Sequence, residues 1–198
     1  MKEDTLKKLH EDGLLSEKHL GKWKAPGNHR VLVLEEGEIV SFIPFVEKGL
    51  GLPASDFFHG LLYYYRIRMN HLNPNSILQL SIFIHLCEAF LGIPPSIHLF
   101  RYFFKLKPHP DVANLDVIGG AGFQFRIGRK TEYLSYTLKE SNKNWKSKWF
   151  YSGNVLPSME THSADAPRVN SRWEQENLGV TEYDAIRPPY CANHRTAL

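Results

Sequence analysis

The sequence has few of the residues that staple a small protein from outside its core. Two cysteines, Cys87 and Cys191, occur in 198 residues, so at most one internal bridge can form; a disulfide framework is excluded and a reducing compartment fits best. The same scarcity excludes a zinc knuckle. Long apolar runs are also missing. The most apolar stretch, Ile77 to Leu91, is interrupted by Gln79, Ser81, His85 and Glu88 and is shorter than the ~20 residues of a membrane span. Met1 to His10 is charged, which predicts no secretory leader. No internal repeat or low-complexity tract is present. These gaps predict a cytoplasmic or nuclear protein that does not enter a membrane.

What the chain does have is aromatic bulk, with 12 Phe, 9 Tyr and 4 Trp, in a composition that is 42% apolar and 23% charged. That is enough to build one core of ordinary size without metal or disulfide support. Net charge is +3, but it is unevenly placed. Residues 101–150 carry ten basic against four acidic groups, whereas residues 1–50 and 151–198 are slightly acidic. A local positive field of this kind lowers the electrostatic work of approaching a phosphate backbone or an acidic protein.

Patterning predicts an α+β domain over residues 1–157, with about three central helices flanked by two β-hairpins, and an irregular tail over residues 158–198. Val31–Leu34 and Ile39–Ile43 flank the Gly-containing connection Glu35-Glu36-Gly37-Glu38, a hairpin signal, and Pro44 ends the second strand. Ser55 is a plausible N-cap for a helix whose apolar stripe is Phe57, Phe58, Leu61, Leu62, Tyr65 and Met69. Asn73-Pro74 opens a second helix, Ser76 to Leu91, apolar in nearly every direction and so expected to be surrounded by other elements. Gly92 and Pro94-Pro95 close it. A third helix runs from about Ser96 to Lys105, with His98, Arg101 and Lys105 at i, i+3 and i+7 on one side. Phe123, Phe125 and Ile127 then alternate with Gln124 and Arg126 as in a strand, and Tyr133 to Leu138 is its expected hairpin partner across Gly128-Arg129-Lys130-Thr131. Trp145 to Tyr151 fits a helix by its tryptophans and an edge strand by its lysines. After Pro157 periodicity is lost, with Trp173, Tyr183 and Tyr190 as candidates for local docking.

No chemical motif stands out. Gly120-Ala121-Gly122 lacks the third glycine and the receiving helix of a dinucleotide fingerprint. His85, Cys87 and Glu88 diverge around a helix, and Cys191 and His194 lie in the tail, so neither set builds a tetrahedral metal site. Cys87 in an apolar helix reads as inert packing. Asp56, Glu88, Asp111, Asp116 and Glu132 have no spacing that selects them as carboxylates of a two-metal nuclease. Catalytic, cofactor and metal residues are therefore expected to be absent. Nucleic-acid contact is the favoured reading, through His98, Arg101 and Lys105 of the third helix, Arg126, Arg129 and Lys130 of the hairpin, and Lys146 and Lys148 of the Trp-rich segment. A helix pair joined at Gly92–Pro94 and followed by a basic hairpin has the parts of a winged helix-turn-helix, although Phe100, Tyr102, Phe103 and Phe104 are greasy for a groove reader.

Several sequence words occur in a fixed order: Gly49-Leu50-Gly51-Leu52-Pro53, Phe57-Phe58, His71-Leu72-Asn73-Pro74-Asn75, Leu86-Cys87-Glu88-Ala89-Phe90-Leu91-Gly92-Ile93-Pro94, Gly119-Gly120 and Trp145-Lys146-Ser147-Lys148-Trp149-Phe150-Tyr151. In these the chain resembles the plant putative gypsy-type transposase domain, from roughly Leu6 to Pro157. The resemblance implies origin in a retrotransposon-derived reading frame of grasses and brings no catalytic residue with it. The resulting expectation is a noncatalytic, Gag-like structural or interaction module whose partner is nucleic acid or an acidic protein, with self-association open. The alternatives are a metal-dependent strand-transfer enzyme and a decayed reading frame without activity.

Overall fold

The computed structural model describes residues 3–18, 22–27, 35, 37–108, 118–138, 142–153 and 171–174. Within them the chain is α+β, with helices packed beside two small antiparallel sheets of two strands each. Helix α1 (Glu3–Glu11) buries Leu6 and Leu9. Strand β1 (Glu38–Phe42) runs directly into the short helix α2 (Ile43–Val46), where Pro44 occupies the first turn rather than breaking a strand. The fixed φ of proline and its missing N–H suit that position.

Helix α3 (Asp56–Tyr65) starts as expected at Ser55, whose hydroxyl accepts the Phe58 N–H. It stops one residue before Arg66, which takes the left-handed conformation at φ 55°. Helix α4 (Pro74–His85) is capped by the Asn73 side chain, which accepts the Ser76 N–H. It buries Ile77, Leu80 and Phe83. The helical run continues from Leu86 to Leu91 with π winding and is closed by Gly92 in the left-handed conformation. Here the expectation of burial on all sides is corrected. In the π turn only Cys87 is buried, and Phe90 and Leu91 are 73% and 54% exposed. By length and composition alone Pro74–Leu91 is apolar enough to cross a membrane, but its first three turns form part of the core of this fold.

Helix α5 (Ile97–Phe103) ends two residues earlier than its apolar pattern suggests, because the chain turns extended at Phe104 and forms strand β2 (Phe104–Pro108). Strand β3 (Ala121–Phe125) pairs with β2, placing Phe104 opposite Phe125 and Lys105 opposite Gln124. The expected hairpin partner, Tyr133 to Leu138, is not a strand; a 3-10 turn at Lys130–Glu132 precedes an irregular stretch. The physical reason is aromatic. Tyr133 and Tyr136 turn inward against Phe125, with ring centroids at 5.6 and 6.0 Å, which extended alternation would not bring about.

The Trp-rich segment resolves into a 3-10 turn at Trp145–Ser147 followed by strand β4 (Trp149–Gly153). Strand β4 pairs with β1, so Ser41 and Ser152 meet inside the protein with their hydroxyl oxygens 2.6 Å apart. The first strand expected before β1, Val31–Leu34, lies outside the described residues. So does most of the tail, but helix α6 (Ser171–Glu174) places the Trp173 side chain fully inside the core.

Two aromatic clusters hold these elements together. Phe100 touches Phe83, Phe104 and Phe123 with centroids at 5.1, 4.8 and 4.9 Å, and so joins α4, α5, β2 and β3. Phe42, Phe45 and Trp145 sit within 5.4 Å of one another and join β1, α2 and the turn before β4. Such ring pairs contribute about 0.5–1.5 kcal/mol each beyond the area they bury.

Candidate nucleic-acid interface

The eight basic side chains expected to form one surface are divided by the fold into buried and peripheral groups. Arg101 is completely buried, with its guanidinium 4.9 Å from the Tyr64 ring centroid. Arg126 is 6% exposed and its Nε donates to the Arg101 carbonyl oxygen at 2.6 Å. Both belong to the core, which removes them from the expected contact surface. The supposed stripe of His98, Arg101 and Lys105 is not a stripe: α5 ends before Lys105, and a strand residue has a different side-chain period from the helix it follows.

Lys105 is half-buried on β2, and alternation places it with Lys107 on the face opposite the buried Phe104 and Leu106. The sequence reading missed Lys107. Its signal was present in the period-two pattern Phe104-Lys105-Leu106-Lys107, over which the helical reading of the preceding residues was extended. His98 is half-buried on α5.

Arg129 is tied down. Its Nη1 donates to the Tyr102 hydroxyl oxygen at 2.6 Å and to Glu132 Oε1 at 2.8 Å, and its guanidinium lies 4.1 Å from the Tyr102 ring centroid. The Tyr102 hydroxyl in turn donates to Glu132 Oε2 at 2.7 Å. That hydrogen bond, helped by Arg129, holds the Glu132 carboxyl below its ordinary range. It also raises the Tyr102 phenol. The triad fixes the turn after β3 to α5 and leaves Lys130 exposed beside it. Lys146 lies against Trp145, with Nζ 6.0 Å from the ring centroid, and Lys148 is exposed just before β4.

Three of the sequence words, His71–Asn75, Gly119-Gly120 and the Trp-rich segment, meet at a different place. Asn73 accepts from the Ser76 N–H at 2.9 Å and from the Ser76 hydroxyl at 3.1 Å, and its Nδ2 donates to the Ala121 carbonyl oxygen at 3.4 Å. The Ser76 hydroxyl oxygen accepts the Phe123 N–H at 2.9 Å. One helix cap therefore also pairs the free edge of β3. Gly122 makes room for it, because a Cβ there would lie 2.5 Å from Asn73 Nδ2. Beside it the Gly119 N–H donates to the Asn70 carbonyl oxygen, and Trp145 packs on Gly119. His71 is buried, with Nδ1 accepting the Arg68 N–H at 3.1 Å. These residues serve the architecture.

Among the described residues, no three His, Cys, Asp or Glu side chains lie close enough to hold a metal ion. Of the carboxylates considered from the sequence, Asp56, Glu88 and Glu132 are among them; Asp111 and Asp116 are outside. Cys87 is buried, and burial followed by the nearby Glu88 charge raises its thiol above the ordinary range, the opposite of what a nucleophile needs.

No curated protein and no solved structure matches the chain. The sequence words Gly49–Pro53, Phe57-Phe58, His71–Asn75 and Leu86–Pro94 lie inside a matched segment, while Gly119-Gly120 and the Trp-rich segment lie beyond it. Residues 39–108, which run from β1 to the end of β2, match the family described as putative gypsy type transposon.

Proposed function

We propose that the protein is a noncatalytic, retrotransposon-derived interaction module of Gag-like type that holds a nucleic-acid backbone. The observation that carries this reading is the pairing of Lys105 and Lys107 on one face of β2, in the most basic quarter of the chain, with exposed Lys130 at the turn beyond β3. Lysines at alternate strand positions lie ~7 Å apart, close to the spacing of phosphates along one strand of an extended nucleic acid. Binding of this kind reads charge and not sequence.

Fluorescence anisotropy with labelled single- and double-stranded oligonucleotides across a salt series tests it. About three phosphate contacts give a slope near −2.7 in log K against log salt on duplex, so affinity falls roughly 40-fold between 50 and 200 mM salt. Lys105→Glu with Lys107→Glu should remove about two units of that slope. No binding at 25 mM salt, or binding indifferent to both substitutions, overturns the proposal.

A further inference from the structure

Trp173 and Arg172 end in an unusual pair of acceptors. Trp173 Nε1 donates to the Tyr65 carbonyl oxygen at 3.1 Å, and Arg172 Nη1 donates to the Tyr64 carbonyl oxygen at 3.3 Å. Those are the last two carbonyls of α3, where a helix leaves its acceptors unsatisfied and its dipole favours a cation. The Arg66 N–H folds back to Leu62 and Tyr63 and does not serve them. The Arg172 guanidinium also lies 5.7 Å from the Tyr64 ring centroid, and the Trp173 indole is wholly enclosed.

We infer that this slot, at the end of α3 beside β2, is a receptor for a short peptide presenting a cation next to an indole, and that Arg172-Trp173 is its intramolecular occupant. Three observations support the inference. The parts that form the slot, Tyr64, Tyr65 and β2, lie inside the segment that matches the transposon family, whereas Arg172 and Trp173 lie 64 and 65 positions beyond its end at residue 108. Recognition runs from side-chain donors to main-chain acceptors, so the slot reads the chemistry of the incoming segment while its own polar half is fixed by backbone. Finally, α6 is four residues long, too short to be helical by itself, so docking gives it its shape. One enclosed indole and two hydrogen bonds are set against the ordering of the segment, which offsets only part of what they contribute. Occupancy is sustained by the tether, which supplies an effective concentration on the order of 1 mM. The reading stands independently of nucleic-acid binding.

The test uses the full chain with a site-specific protease sequence inserted between Pro157 and Arg168. After cleavage the C-terminal piece is separated by gel filtration, and a labelled peptide of residues 168–177 is titrated into the remaining body. The body is expected to keep a cooperative melt and to bind the peptide saturably. The uncut chain should bind it at least ~10-fold more weakly, because a tether of ~1 mM effective concentration that keeps the slot more than about nine-tenths filled weakens a competing peptide by that ratio. A peptide carrying Trp173→Ala should lose binding, and one carrying Arg172→Ala should weaken several-fold. A body that unfolds on losing the piece overturns the inference, because the segment is then integral to the core. So does a folded body that ignores the peptide, or one that takes the Trp173→Ala peptide equally well.

Discussion

Replacing Gly122 with alanine isolates the junction where the cap of α4 meets the edge of β3. The added Cβ would lie 2.5 Å from Asn73 Nδ2 and 3.3 Å from Ser76 Oγ. No positive φ is involved at this residue, so the cost comes from lack of space. Asn73 can escape only by rotating, which gives up its bonds to Ser76 and the Ala121 carbonyl. Losing the cap costs about 1 kcal/mol, and disturbing the Ser76 acceptor of the Phe123 N–H costs about 1–3 kcal/mol. The lower entropy of the unfolded alanine chain offsets about 0.4–1 kcal/mol. The net is about 2 kcal/mol, or roughly 4–8 °C in Tm for a domain of this size. Asn73→Ala alone should cost about 1 kcal/mol. In the double variant the cap is already absent and the Cβ has room, so the two losses should fall short of their sum by about 2 kcal/mol. Denaturant melts of the four proteins measure this. Additivity within about 0.5 kcal/mol would refute the account of the junction.

Two further outcomes follow from buried groups. Burial raises the phenols of Tyr65 and Tyr133 and pushes that of Tyr136 up to about 12. Groups raised in the folded state favour folding fully below their unfolded value near 10 and lose that contribution as pH climbs toward the folded value. Stability should therefore be level up to about pH 9 and fall between about 10 and 12, with tyrosinate absorbance rising together with unfolding; early, fully reversible ionisation of every tyrosine in folded protein would contradict this. In a Cys191→Ser background, the Cys87 thiol should react with an aromatic disulfide reagent orders of magnitude more slowly than in the urea-unfolded chain; comparable rates would show it to be accessible.

Local signals were readable from the sequence where one residue decides the geometry. Ser55, Asn73-Pro74 and Gly92 mark the helix ends as expected because capping depends on the few residues around it. Strand partners were not readable. Ser41 and Ser152 are 111 positions apart, and nothing in either strand names the other. The sequence reading of α5 ran through Phe104 because an all-aromatic stretch satisfies both periods, and that error carried Lys105 onto a helix and hid Lys107. Arg101 was assigned to the surface by spacing alone. Its burial depends on Tyr64, a ring supplied by a different helix. Trp173 was named as a possible docking residue, but its acceptors at Tyr64 and Tyr65 could be found only in three dimensions.

The pairing of β1 with β4 and of β2 with β3 bears on how the family segment can be handled in isolation. Residues 39–108 contribute one ribbon to each sheet, and its mate comes both times from residues that follow. A polypeptide cut to those boundaries would carry two bare rows of amide and carbonyl groups, with Phe42, Phe104 and Leu106 beside them. Such rows invite pairing between molecules, so the excised segment should precipitate or form filaments under conditions in which the 198-residue chain stays dispersed.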